Sequence, residues 1–185
     1  MDERTKIRTR LDQRKQVMLN HFASLYRLLD AGSLDNTEPA REWLEQFCIG
    51  TGVQLCPGDF SIGKSLGVDQ DNAKLGTDIW GHVDQFRGGL SPLDYIVTNY
   101  LEYMPDTNRV LNEWADKLAP GGLLAIAALN TDAYIDPIGP LRNDRRYHCF
   151  TLRTLTAYLA RAGLRVFQWE VPGTALYVAA KKRQK

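Results

Sequence analysis

The sequence predicts an α/β fold. It is a mainly parallel sheet with helices on both faces, an antiparallel C-terminal edge hairpin and an N-terminal helical extension. Three observations predict it. From residue 49 onward, short apolar runs alternate with segments of helical period. Two of those runs, LDYIVTN (93–99) and LLAIAAL (123–129), are apolar almost throughout, as strands buried on both faces must be. The last two runs flank Pro172-Gly173, a connection too short for anything but an antiparallel pair.

Taken in chain order, Ile7, Leu11, Met18, Phe22, Leu25 and Leu29 recur at helical spacing, and Asp30-Ala-Gly-Ser-Leu-Asp-Asn supplies the stop. A second helix starts near Thr37 with Pro39 in its first turn and Trp43, Leu44 and Phe47 facing inward. Residues 1–48 therefore read as a helical cap and 49–185 as the α/β domain, with no linker long enough to separate independent domains. Strands are expected over Val53–Cys56, Leu66–Val68, Leu75–Trp80, Leu93–Asn99 and Leu123–Leu129. A helix over Thr107–Leu118 turns Val110, Leu111, Trp114, Ala115 and Leu118 inward and ends at Ala-Pro-Gly-Gly, read as a stop followed by a turn. Thr151 caps a helix to Arg161 that Gly163 stops, and Leu164–Glu170 with Leu176–Ala180 form the closing hairpin.

The bulk properties narrow the function classes. The 185-residue chain carries a net charge of +1, so charge gives no reason to expect a nucleic-acid or anionic-membrane partner. Its three cysteines, Cys48, Cys56 and Cys149, contain no C-x-x-C pair, and no metal site is expected. The charged start MDERTKIRTR has no apolar core like that of a signal peptide, and no apolar run approaches a membrane span. A soluble, cytoplasmic protein is expected.

One motif points elsewhere. GDFSIGKS (58–65) matches the phosphate-loop pattern G-x-x-x-x-G-K-[ST]. A phosphate loop delivers its Lys and Ser from the first turn of a helix, whereas Leu66-Gly67-Val68-Asp69 reads as strand then turn. The apolar run 93–99 ends in Asn99 and the run 123–129 is followed by Asn130, so neither supplies a metal-holding aspartate. A P-loop triphosphatase is thus the weakest of three functional readings.

The stronger reading is a ligand held beyond the carboxyl ends of the strands, with Gly58 in a turn after the first strand and Asp69 at the tip of the second. Residues 93–129 resemble the second half of class I S-adenosylmethionine-dependent methyltransferases of the type 11-like group. Asp94 opens an apolar strand, Leu101-Glu102-Tyr103 and Pro105-Asp106 follow it, and Pro120-Gly121-Gly122 precedes the fifth strand. Residues 148–163 resemble the later segment in which an aromatic and Thr precede a helix ending in Ala-Gly. The resemblance extends over about residues 50–180 and implies a Rossmann-like domain with S-adenosylmethionine as cofactor. The first loop departs from the family's acid-x-G-x-G-x-G, with Gln54 in the acid's place and one clear glycine, Gly58. The segment from Asn99 to Tyr103 is one residue shorter than usual.

The resemblance implies a cofactor lying across Cys56, Pro57, Gly58, Asp59 and Phe60, with Asp69 on the ribose hydroxyls. His82 and Val83 would lie beside the adenine, and Asn99 and Tyr100 beside the methyl donor. Tyr100, Glu102 and Tyr103 would line the acceptor cleft, with Glu102 alternatively tying down the helix that follows. The long connection 130–150 holds Arg142, Arg145, Arg146, Tyr147 and His148, and connections of that length in compact domains are commonly functional. His148 and Tyr100 are the catalytic candidates. The expected activity is methyl transfer to a small-molecule or glycan acceptor. The alternative is a catalytically silent relative that serves as a binding or scaffold module.

Overall fold

The computed structural model describes residues 38–55, 62, 65–69, 79–80, 92–133 and 147–183. All of them belong to one compact unit, Leu34–Lys185. The helix expected over residues 5–30 lies outside the described residues, as does most of the expected third strand.

The elements are helix α1 (Glu38–Glu45), strands β1 (Gly52–Leu55), β2 (Leu66–Asp69), β3 (Ile79–Trp80) and β4 (Leu93–Thr98), helix α2 (Thr107–Lys117), β5 (Leu118–Leu129), helix α3 (Leu152–Arg161), β6 (Leu164–Glu170) and β7 (Ala175–Lys182). Short 3₁₀ turns at Leu101–Tyr103 and Thr131–Ala133 follow β4 and β5. The strands form one seven-stranded sheet in the order β3-β2-β1-β4-β5-β7-β6. Pairs from β3 through β5 are parallel, whereas β7 runs antiparallel to both β5 and β6. The expected C-terminal hairpin is present, with its second strand inserted inward and its first left at the edge. Burial accounts for that order: Ala175–Ala180 is buried on both faces, while β6 past its buried Leu164 has only half-buried and exposed side chains.

The period-two alternation of β5 feeds two cores. Leu124, Ile126 and Ala128 face α2 and α3, packing with Val110, Leu111, Trp114, Leu155 and Leu159. Ala125, Ala127 and Leu129 face the other way and meet Ala40, Trp43, Leu44 and Phe47 of α1 and the turn after it. Helices therefore cover both faces. The Trp43 indole N–H donates to Glu170 Oε1 at 2.8 Å, fastening α1 to the edge strand.

Helix termini follow their sequence signals. Asp106 accepts from the Arg109 amide, capping α2, and Thr151 with Thr154 forms a capping box on α3. Lys182 Nζ donates to Leu118 O at 2.6 Å, taking up a carbonyl just past the end of α2.

Pro120-Gly121-Gly122 corrects one expectation. It forms a bulge within β5, not a separate turn before it. Leu93 already pairs with Leu118, and the register then jumps so that Tyr95 pairs with Leu123. Gly121 takes φ 80°, and a Cβ on Gly122 would stand 2.9 Å from Leu93 O and 3.0 Å from Ala119 O. Backbone oxygens cannot swing away as a side-chain tip can. Gly122→Ala is therefore expected to destabilise the protein by about 1–3 kcal/mol. An unchanged urea midpoint would show that the bulge yields freely.

Candidate functional site

In an open α/β sheet the ligand crevice lies beyond the carboxyl ends of the strands, where the chain winds outward in opposite directions. Here that point falls between β1 and β4, since β2 and β3 lie on one side and β5 on the other. Leu55 and Thr98 are the last paired residues of the two strands. Thr98 locks them together: its hydroxyl donates to Leu55 O at 3.3 Å and accepts the Tyr100 N–H at 3.0 Å. The chain leaving β4 is thus turned sharply at the mouth of the crevice, where Asn99 is buried and Tyr100 half-buried. Tyr100 and Tyr103 stack with ring centroids 4.5 Å apart and planes 21° from parallel.

Asp69 ends β2, one residue past the Leu55–Val68 pair, so its backbone stands at the carboxyl edge beside β1. Gln54 is buried, and its Oε1 accepts the Ile62 N–H at 2.7 Å. Ile62 is fully buried among the residues that pack on α1. The Gln54 amide thereby anchors Ile62.

Glu102 occupies a second key position. Its carboxylate, 3% exposed, accepts the Leu129 N–H at the end of β5. The Glu102 carbonyl accepts the amides of Tyr147 at 2.9 Å and His148 at 3.2 Å. This residue ties the end of β5 and the returning chain to the segment after β4. The N-terminus of α2 is capped by Asp106.

The returning chain brings His148 to the same edge, where its Nε2 lies 3.2 Å from Pro105 O. A carbonyl oxygen only accepts, so Nε2 carries the proton and, in the neutral ring, Nδ1 keeps the lone pair. Tyr147, 60% exposed, stands beside it.

Tyr100, Tyr103, Glu102 and His148 therefore gather at one end of the sheet, with Asn99 between Thr98 and Tyr100. Cys56, Pro57, Gly58, Asp59, Phe60, His82, Val83, Arg142, Arg145 and Arg146 lie outside the described residues, and Asp69 is described by its backbone. Gln54 and Thr98 were not singled out for the hydrogen bonds they make. Their signal was available as polar residues inside otherwise apolar strands, which must find partners when buried.

The phosphate-loop letters lead elsewhere. Ser65 is buried and is followed directly by β2, not by a helix. Its hydroxyl lies 2.9 Å from Tyr95 OH and donates to Cys48 Sγ at 3.7 Å, at the opposite end of the sheet from the crevice. Burial pushes the Cys48 thiol and the Tyr95 phenol above their ordinary values, so both stay neutral at physiological pH. The Ser of a working phosphate loop could not be so placed.

No family model matches this chain, and no curated protein matches it in sequence. Solved structures do match in fold. A methyltransferase from Mesorhizobium loti, described as S-adenosylmethionine-dependent, superposes with a TM-score of 0.63 at 16% identity, covering 83% of this chain and 100% of its own. The CcbJ methyltransferase of Streptomyces caelestis gives 0.66 at 11% identity, covering 84% and 98%. The 1,6-didemethyltoxoflavin-N1-methyltransferase of Burkholderia thailandensis, solved with S-adenosylhomocysteine, gives 0.59 at 18% identity, covering 94% and 90%. The chain has the class I S-adenosylmethionine-dependent methyltransferase fold. In this methyltransferase fold the inserted antiparallel β7 is as much a part of the sheet as the parallel strands beside it. Among the described residues no helix is long and apolar enough to cross a membrane.

Proposed function

We propose that the protein binds S-adenosylmethionine and transfers its methyl group to a small-molecule or glycan acceptor. The observation that carries this reading is the place of Asp69, at the tip of β2 beside the switch point of a methyltransferase-fold sheet. Asp69 would accept the two ribose hydroxyls. Cys56–Phe60 would border the amino-acid end, and His82 and Val83 the adenine. Asn99 and Tyr100 would stand beside the reacting methyl. When bound, the cofactor supplies a methyl group already activated on a sulfonium.

The work left to the chain is alignment and proton removal. The Thr98 hydrogen bonds hold Tyr100 in place, and Tyr100 with the stacked Tyr103 forms one wall for the acceptor. His148, held through Nε2, offers Nδ1 to an acceptor hydroxyl or amine that must lose a proton. The small-molecule choice draws support from the Burkholderia neighbour, which was solved with bound 1,6-didemethyltoxoflavin. Residues 1–48 would be a helical extension whose second helix covers one face of the sheet. A cytoplasmic setting without nucleic-acid or membrane partners completes the proposal.

A second reading, a binding module without catalysis, is favoured by one feature: Gln54 replaces the family's acid and spends its carbonyl on Ile62. Calorimetric titration with S-adenosylhomocysteine tests the cofactor, and labelled methyl transfer to an acceptor panel separates the two readings. Asp69→Ala is expected to raise the dissociation constant by about 10–100-fold through loss of charge-assisted hydrogen bonds. Absence of heat at millimolar ligand, or unaltered affinity in Asp69→Ala, would overturn the cofactor assignment.

A further inference from the structure

β6 ends the sheet, and among the described residues no strand pairs with its outer edge. Such an edge presents unpaired backbone groups to any strand that can align with it. This one also exposes large apolar side chains: Phe167 is 47% exposed, Trp169 55% and, just beyond the strand, Val171 45%. Its ends carry opposite charges, Arg165 and Glu170.

The register with β7 assigns each residue to a face. Arg165 pairs with Lys181 and Glu170 with Tyr177, while Val166 pairs with Ala180 and Trp169 with Val178. Tyr177 and Ala179 belong to the core under α1, and Val178 and Ala180 to the core under α2 and α3. Lys181, two residues from Ala179, is on the α1 face. Arg165 and Glu170 therefore share the α1 face, and Val166 and Trp169 share the other.

That distribution is self-complementary. We infer that the β6 edge pairs antiparallel with β6 of a second copy about a two-fold axis between Phe167 and Gln168. This register sets Arg165 opposite Glu170 of the second copy, and Val166 opposite its Trp169. Faces match at every step: charge meets opposite charge on one side, and aliphatic meets aromatic on the other. Each interface is isologous, so both pairings occur twice.

The charges favour this occupant in particular. Arg165 and its neighbour Lys181 place two cations side by side, and Lys181 Nζ stands 5.9 Å from the centre of the Phe167 ring. Glu170 already accepts the Trp43 N–H through Oε1, which orients the carboxylate at the strand end. A second copy brings that carboxylate to the cation pair. The β6 bulge at Phe167 falls at the centre of the pairing, so the two-fold repeats it and the flanks carry the contact.

Sedimentation of the full chain tests the pairing. At about 10–100 µM wild-type protein is expected at twice the 20.9 kDa chain mass. Arg165→Glu should weaken association by about tenfold or more, because each pairing becomes repulsive. Arg165→Glu with Glu170→Arg should restore it. Since Glu170 also holds Trp43, Trp169→Lys provides an arm independent of that contact, and it too should weaken association. A wild type that stays monomeric throughout this range would overturn the inference. So would single variants that dimerise like wild type, or a folded double variant that does not recover.

Discussion

Trp114→Ala is expected to lower the unfolding free energy by about 3–5 kcal/mol, the range for deleting a large buried aromatic. Trp114 is fully buried on α2, at the centre of the core that joins α2, α3 and the sheet. Its neighbours are side chains on rigid elements: Leu124 and Ile126 on a central strand, Leu155 and Leu159 on a capped helix. They cannot collapse into the space the indole leaves, so the cavity persists and its cost is added to the lost transfer energy. Domains of this size lose about 2–4 °C per kcal/mol, so the melting temperature should fall by on the order of 10 °C. Trp114→Phe, which leaves a smaller void, should cost clearly less. If Trp114→Ala melted within about 2 °C of wild type, the α2 face would not be the main core.

Much of this core could be read from residues alone. β4 and β5 stood out as apolar runs because both of their faces are covered, and α2 and α3 because their inward residues recur every three or four positions. Thr151 and Gly163 marked the limits of α3 because caps depend on local backbone geometry. Pairing order is a different matter. That Pro172-Gly173 joins two antiparallel strands is local, but that β7 slips between β5 and β6 depends on which strand is apolar on both faces. The contrast between ALYVAA and LRVFQWE held that information.

The candidate site was legible in outline and opaque in its supports. Asp69 at the tip of β2 and Tyr100 beyond the end of β4 could be placed because strand ends follow the apolar pattern. Gln54 could not be assigned a partner, since its acceptor bond to Ile62 spans a loop whose path no local rule dictates. Pro-Gly-Gly was misread for a related reason. Glycines and a proline after a helix signal a turn, and only the pairing of Leu93 with Leu118 makes the segment a bulge inside a strand. The phosphate-loop letters could be discounted from context, because a pattern of residue types does not specify the helix its chemistry requires.

Glu102 shows best how a site is supported from outside the reacting groups, and its replacement carries the other large effect. β4 ends at Thr98, whose partner on β5 is Ile126. β5 continues to Leu129, and on its far side the Asn130 amide still donates to Thr174 O. Successive amides point to opposite sides of a strand, so the Leu129 amide points toward β4, where the strand has already ended. The Glu102 carboxylate fills that vacancy, and the Glu102 carbonyl receives the amides of Tyr147 and His148. Glu102→Ala leaves the Leu129 N–H buried without this acceptor and opens a void, and is expected to cost about 2–4 kcal/mol. Glu102→Gln keeps an acceptor oxygen and should recover most of the loss. Amide exchange distinguishes this support from a general loss of stability. In Glu102→Ala, Leu129, Tyr147 and His148 should exchange faster than Ile126 and Val178, which lie deeper in the same sheet. Equal acceleration at all five would mean that the carboxylate stabilises the fold as a whole and does not specifically hold the chain that carries His148.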